Sequence, residues 1–371
     1  MNQTILTWLV FVLAFGGMVL IHEFGHFIVA RLCKIEVEEF GIGLPTPGAV
    51  TLFTWQGTRF TLNWLPLGGF VRPKGENDPN IEGGLAAASP WKRLAVLSAG
   101  PLMNLLAAIF IYSLIFNRVG VPDATRVLVS SVTPNSAAAQ AGFEDGDIFI
   151  SGNEQPISNF DQLRVIVDAN ENKPVNFLVD RNGDRVELTA TPVKTKIDAN
   201  TERVMIGVGL GVPFKTPTSW VETIDLGARY TYVNVRALLS LPAQIFRGTL
   251  NSEQSRLVGL KGIFDILEQT VSHDVQATTT PPATNNPIDQ PVRTLELIAS
   301  LSISLGIFNL FPFPALDGGR IIFLLPELIF RRRVPHQVEN LVHGMGMAFL
   351  LLLMIYINVM DFVNPISITI P

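Results

Sequence analysis

Four stretches of the chain stay apolar long enough to cross a hydrocarbon core of ~30 Å, which takes about 20 helical residues. The first runs over residues 5–21 without a charge and continues to 30, interrupted only by His22, Glu23 and His26. Nothing before Arg31 is basic and no small-x-small cleavage site follows, so this segment reads as a retained helix and not as a signal peptide. The second covers residues 94–116, the third 297–316, followed at once by Asp317, and the fourth lies at about 341–359.

Between the second and third spans the pattern becomes that of a small α+β domain. It predicts a strand over 126–132, an Ala-rich helix over 136–141, a strand over 147–151 and a helix over 160–169. Two further strands flank Arg181-Asn182-Gly183-Asp184, where Asn-Gly suits a tight hairpin. Residues 220–246 and 255–271 have helical periodicity, with Arg229, Arg236, Arg247 and Lys261 among apolar positions. They suit either helices lying along a membrane surface or helices packed on the outer domain. Residues 275–291, rich in Thr, Pro and Asn, read as a linker. In the first inter-span connection, residues 49–55, the turn Gln56-Gly57 and residues 58–64 read as a hairpin of apolar strands.

The fold class is therefore a polytopic α-helical membrane protein with about four transmembrane helices, a β-hairpin and an inserted extracytoplasmic α+β domain. The expected division is a first membrane half at 1–118 with its β element at 37–72, the outer domain at 119–212, surface helices and linker at 213–293, and a second membrane half at 294–371. Lys and Arg near span ends are retained in the cytoplasm. They concentrate in residues 31–93 and again in Arg320 and Arg331 to Arg333, while neither terminus carries one. Both termini and the inserted domain should then face outward from the plasma (inner) membrane.

Composition sharpens this picture. Of 371 residues only 16% are charged, against about a quarter in soluble domains, and the mean hydropathy is +0.35. The net charge of −5 belongs wholly to residues 121–293, which hold 15 basic and 20 acidic residues, leaving 12 of each elsewhere. So acidic a chain excludes nucleic acid as a partner. One cysteine, Cys33, excludes a disulfide framework and Cys-rich zinc sites, so any metal is held by His and carboxylate. Cys33 itself reads as a small buried thiol.

His22-Glu23-Phe24-Gly25-His26 is H-E-x-x-H. Residues four apart share one helix face, so both imidazoles can reach one Zn²⁺ while Glu23 handles a proton beside them. Ionisable groups inside a span are expensive and mark function. A catalytic zinc needs a third protein ligand. Asp317 is the foremost candidate, because Asn309-Leu310-Phe311-Pro312-Phe313-Pro314-Ala315-Leu316-Asp317-Gly318-Gly319 breaks the third span with prolines and glycines around one carboxylate. Broken backbone at membrane depth is tolerated only where protein or a polar cavity shields it. His273, His336 and His343 lack ligand spacing and read as surface or helix-packing residues.

These two motifs resemble those of the site-2 protease family of intramembrane zinc metalloproteases. Ser98-Ala99-Gly100-Pro101-Leu102-Met103-Asn104 is similar to that family's Gly-Pro-x-x-Asn element. The resemblance implies that His22, His26 and Asp317 bind zinc, that Glu23 is the catalytic base, and that Asn309 holds the substrate or its oxyanion. Asn104 is left between a substrate or oxyanion role and helix packing beside Gly100. The inner hairpin, with Pro66-Leu67-Gly68-Gly69-Phe70-Val71 after it, resembles the family's membrane-re-entrant β element, which presents an edge strand to an unwound substrate; an ordinary cytoplasmic hairpin is the other reading. The pattern over residues 126–192 resembles a bacterial PDZ domain, most of all at 133–147, a module that adds a peptide strand to a sheet edge or acts as a steric gate. The chain has one such domain where some members have two, and Gly259-Leu260-Lys261-Gly262-Ile263 only partly matches a Gly-Pro-x-Gly-Ile element of the family.

The activity so implied is peptide-bond hydrolysis in or near the membrane. Its substrates would be single-span membrane proteins, such as anti-sigma factors or remnant signal peptides, with a peptide or protein ligand for the outer domain and the lipid bilayer as surroundings. Two other classes compete: a catalytically silent PDZ-bearing membrane scaffold, and a metal transporter. The intact His22, Glu23, His26 and Asp317 oppose the first, and the lack of an internal repeat with paired broken helices opposes the second.

Overall fold

The fold is described from a computed structural model, which covers residues 3–76, 78–198, 201–248, 256–279 and 290–364. The chain divides into two units, one of Met1–Ile115, Thr223–Thr278 and Pro291–Pro371, the other of Phe116–Glu222 with Thr279–Gln290.

In the first unit α1 (Gln3–Leu32) absorbs the whole first apolar run. Four strands follow, β1 (Val37–Leu44), β2 (Val50–Trp55), β3 (Thr58–Leu62) and β4 (Leu65–Pro73), and then α2 (Pro90–Val119). The expected hairpin is real, with Gln56 and Gly57 both at positive φ in its turn, but it is only half of the element. The sheet order is β2-β3-β1-β4, with β1 and β3 parallel. Period-2 alternation sorts its two faces. Phe40, Phe60 and Val71 pack on Phe27 of α1 and Val96 of α2. The opposite face carries Glu39, which accepts from Thr61 Oγ1 at 2.8 Å and from Arg72 at 2.9 Å. Strand β2 is exposed along its length, apolar Val50, Leu52, Phe53 and Trp55 included. Cys33 is half-buried against the apolar face.

The second unit carries β5 (Val121–Pro122), β6 (Val127–Val132), α3 (Ala137–Ala141), β7 (Ile148–Gly152), β8 (Gln155–Pro156) and α4 (Phe160–Ala169). Strands β9 (Val175–Arg181), β10 (Asp184–Ala190), β11 (Val193–Asp198), β12 (Thr201–Met205), β13 (Val208–Gly211) and β14 (Phe214–Lys215) complete it. Its main sheet runs β10-β9-β7-β6-β13, with β8 on β7. Inward-facing Val127, Val129, Phe149, Phe177 and Val179 form the core under Ala138 of α3 and Ile166 of α4. The two helices start where the sequence supplies caps: Ser136 Oγ accepts from Ala139 N at 3.2 Å and Asn159 Oδ1 from Gln162 N at 2.9 Å. Arg181 ties this unit's turns together. It donates to the buried Asp147 at 2.7 and 2.8 Å, to Glu144 and to the Gly142 carbonyl, and the Asp147 bonds raise its guanidinium pKa above the ordinary value.

The remaining helices are α5 (Trp220–Phe246), α6 (Leu260–Thr279), α7 (Arg293–Leu310), α8 (Asp317–Phe330) and α9 (His336–Val363). Helices α1, α2, α7 and α9 are long and apolar enough to cross a membrane. Three expectations need correction. The third span stops at Leu310 and not at 316, because the segment before Asp317 leaves helical geometry at Phe311. The second surface helix begins at Leu260, Ser255 lying outside the described residues, and it runs on to Thr279 through the start of the expected linker, whose residues 280–289 also lie outside them. Neither amphipathic helix is confined to a membrane surface or to the outer domain: Leu267 and Val271 of α6 are buried against Phe11 of α1, and Asn234 of α5 reaches Tyr112 of α2. The 213–293 segment is thus mostly part of the membrane unit. One anchor is explicit. Asp361 of α9 is buried and accepts from Gly259 N at 2.8 Å, Gly262 N at 3.0 Å and Arg256 at 3.2 Å, closing the N-terminal end of α6.

Candidate metal centre

The HExxH spacing does on α1 what helical geometry requires: the Nε2 atoms of His22 and His26 lie 3.1 Å apart. Asp317, at the first position of α8, brings Oδ2 to 3.1 Å from His22 Nε2 and 3.4 Å from His26 Nε2. Ligands about 2.0–2.1 Å from a tetrahedral metal stand ~3.3 Å from one another, so these three atoms are spaced as three corners of such a shell. Two imidazoles and one carboxylate, leaving the fourth corner open, are the donor set of a catalytic zinc site.

Helix α2 makes the room. A side-chain Cβ at Gly100 would lie 2.3 Å from His26 Nε2 and 2.8 Å from His22 Nε2. Only a residue without Cβ lets both imidazoles point their free nitrogens at one spot beside this helix. One turn away, the Val96 carbonyl lies 2.7 Å from His26 Nδ1. A carbonyl only accepts, so Nδ1 carries the proton and Nε2 keeps its lone pair for a metal. One turn to the other side, the carboxamide of Asn104 lies 3.2 Å from His22 Nδ1.

Glu23 sits next to the ligands on α1 and accepts from the Val71 backbone N–H of β4 at 3.0 Å. The sheet thereby holds the carboxylate through its end strand. Asp317 is placed by the irregular segment before it. The backbone folds back on itself there, Phe313 N donating to Phe311 O at 2.7 Å, and Ala315 takes a φ of +77°. Side chains at Gly318 and Gly319 would lie 2.2 Å from the carbonyls of Phe311 and Phe313, which is why this turn ends in two glycines. His343 of α9, read from sequence as a packing or surface residue, packs here: its Nδ1 accepts from Ala315 N at 2.9 Å, steadying the turn two residues before the carboxylate.

The structure thus brings His22, Glu23, His26, Asp317 and Asn104 together. Asn309 is not joined to them: in the last turn of α7 its side-chain N–H donates to its own helix's Leu305 carbonyl at 3.0 Å, and among the described residues it has no hydrogen bond to the three donors. Sequence reasoning missed the Val96 carbonyl and the Val71 amide, which as backbone groups leave no residue-type signal. It also missed the task of Gly100, whose spacing of four from Asn104 was the available clue.

Known proteins are similar to this chain over most of its length. The model of peptidase family M50 matches residues 10–353. A Clostridium perfringens protein whose name reads "putative zinc metalloprotease" is 31% identical over 356 residues, covering 95% of this chain and 98% of that protein. A Campylobacter jejuni protein of the same description is 30% identical over 361 residues, covering 94% and 91%. A third, from Agrobacterium fabrum, is 28% identical over 369 residues, with 93% of each covered. With the family's model spanning nearly the whole chain and the HExxH and Asp317 donors converging in space, this protein belongs to peptidase family M50, the site-2 protease family.

Proposed function

We propose that this protein is an intramembrane zinc metalloprotease that hydrolyses peptide bonds in or near transmembrane segments of single-span membrane proteins. The observation that carries the reading is the convergence of His22, His26 and Asp317, from two separate apolar segments, on one spot with Glu23 beside it. Zinc held by these three would act as a Lewis acid on the scissile carbonyl and lower the pKa of a bound water towards ~7.

The chain's own groups do the rest. Glu23 takes the proton from the attacking water and passes it to the departing amine nitrogen, base and then acid on one carboxylate. The Val71 amide keeps that carboxylate turned to one side while the other oxygen is free to work. A transmembrane helix hides its amides in internal bonds, so cleavage needs local unwinding, and a strand edge can satisfy the exposed groups. Strand β4, at the end of the sheet order and bonded to Glu23, suits that task better than the β2–β3 hairpin. The apolar, exposed β2 supports a sheet that dips into the bilayer. Asn309, in the last helical turn before the Asp317 segment, is within the right stretch to hold substrate or oxyanion.

The placement of basic residues supports an active site towards the cytoplasm, with the second unit outside, in a bacterial plasma membrane. That unit has a groove of about 490 Å³ between α4 and the β12–β13 segment, lined by Leu163, Val167, Val204, Ile206 and Val208. Because β13 ends the sheet order, a PDZ-like peptide or protein ligand is the partner this groove fits. Anti-sigma factors and remnant signal peptides are cleavage targets of this class.

Purified full-length protein in liposomes with a single-span substrate tests this. Glu23→Gln should keep its zinc and lose cleavage by ~10²-fold or more. Undiminished cleavage by that variant would return the protein to the class of PDZ-bearing scaffolds, with a contaminating protease as the source of the activity.

A further inference from the structure

Both zinc-facing histidines have a neighbour at Nδ1, and both neighbours come from one face of α2. Val96, Gly100 and Asn104 are four residues apart, so they lie in a row along the helix. Val96 offers a carbonyl to His26, Gly100 leaves space between the two rings, and Asn104 meets His22. For His26 the proton's place is fixed by the carbonyl. For His22 it depends on which end of a carboxamide faces the ring.

With the Asn104 nitrogen towards His22, as placed, Nδ1 would have to be the acceptor. The ring's proton would then sit on Nε2, the atom 3.1 Å from both His26 Nε2 and Asp317 Oδ2, where no metal could approach it. In the same orientation the Asn104 oxygen is buried and, among the described residues, has no hydrogen-bond partner. No bond therefore holds the oxygen where it stands, and a half-turn of the amide exchanges two groups of nearly the same shape. After that turn the oxygen accepts from Nδ1–H and the Nε2 lone pair is free. The residue is positioned for this and for little else: Asn104 is 0% exposed, its own carbonyl accepts from Ser302 Oγ of α7 at 2.9 Å, and Gly306 of α7 closes against its Cβ.

We propose that Asn104 is a positioning residue whose carboxamide oxygen accepts from His22 Nδ1–H, locking the His22 tautomer that presents Nε2 to the metal. This rests on the zinc reading above and assigns Asn104 a task other than touching substrate or merely packing a helix. The neighbouring ligand gets the same service from a backbone carbonyl, so the site is oriented twice by a single helix.

The test uses full-length protein in detergent micelles and zinc itself as the probe, with affinity read by competition against a chromophoric chelator. Asn104→Leu, of similar size and without an acceptor, should weaken zinc about 10- to 100-fold, as loss of a partner behind a ligand does. Asn104→Asp, which presents an oxygen either way, should restore affinity to within a few-fold of wild type. Thermal melting of the zinc-free proteins checks folding, and a general packing role would lower it for both variants alike. Because Asn104→Leu can fail to fold, the wild type supplies a second readout: in ¹⁵N-histidine spectra of the zinc-loaded protein, the His22 Nδ1 signal should be that of an N–H nitrogen. Wild-type affinity in Asn104→Leu, or a His22 Nδ1 without a proton, would overturn the assignment. Failure of the zinc reading looks different: His22→Ala and His26→Ala would then leave zinc binding untouched.

Discussion

Gly100→Ala is the smallest change that should separate the metal from the fold. The new methyl would stand 2.3 Å from His26 Nε2 and 2.8 Å from His22 Nε2. Carbon and nitrogen pack at about 3.5 Å, so His26 must withdraw by roughly 1 Å. Metal–ligand distances tolerate only about 0.2 Å, so that displacement amounts to losing a ligand. The expected loss in zinc affinity is at least ~100-fold, or about 2.7 kcal/mol. The fold should not suffer to match. The atoms met are ends of side chains, and alanine is the better helix former by about 1 kcal/mol. Gly17→Ala on α1 is the control, because nothing among the described residues lies within 4 Å of a Cβ there. Zinc content by mass spectrometry and chelator competition, beside thermal melting of the metal-free protein, reads both quantities. Gly100→Ala with wild-type zinc affinity would refute the placement of the metal beside this residue.

Two further substitutions probe the supports of the two units. Arg181→Ala leaves the Asp147 carboxylate buried without its guanidinium, at a cost of about 3 kcal/mol, and hydrogen exchange should accelerate in β7 and β9 while zinc affinity holds. Asp361→Ala orphans the amides of Gly259 and Gly262 at the start of α6 and should destabilise by about 1–3 kcal/mol, read as faster exchange at that helix end and easier proteolysis before residue 260.

How far the sequence leads can be seen residue by residue. The four spans were legible because bilayer thickness demands a long apolar run, and HExxH because its spacing matches one helical turn. Asp317 was legible because two prolines and two glycines surround a carboxylate where a helix should continue. What the sequence could not show depends on non-local pairing. Nothing in residues 37–44 announces that β1 runs parallel to β3 and separates the hairpin from β4. The third span looked longer than it is because Phe311 to Leu316 stay apolar after leaving the helix. Residues 275–279 looked like linker because they run into the Thr-, Pro- and Asn-rich stretch that follows, while the helix they end is held by Leu267 and Val271 packing on α1. The tasks of Gly100, Asn104 and His343 needed the neighbouring helices in place, since a side chain's partner on another span leaves no periodic trace.

The proposed function stands on His22, His26 and Asp317 jointly holding the zinc that works with Glu23. Anomalous diffraction at the zinc edge from crystals of the full-length protein tests it most directly. The expected result is one strong peak about 2.0–2.2 Å from His22 Nε2, His26 Nε2 and an Asp317 oxygen, with Glu23 beside it but not bound. A peak at another cluster, or a protein that cleaves its substrate with this spot empty, would contradict it.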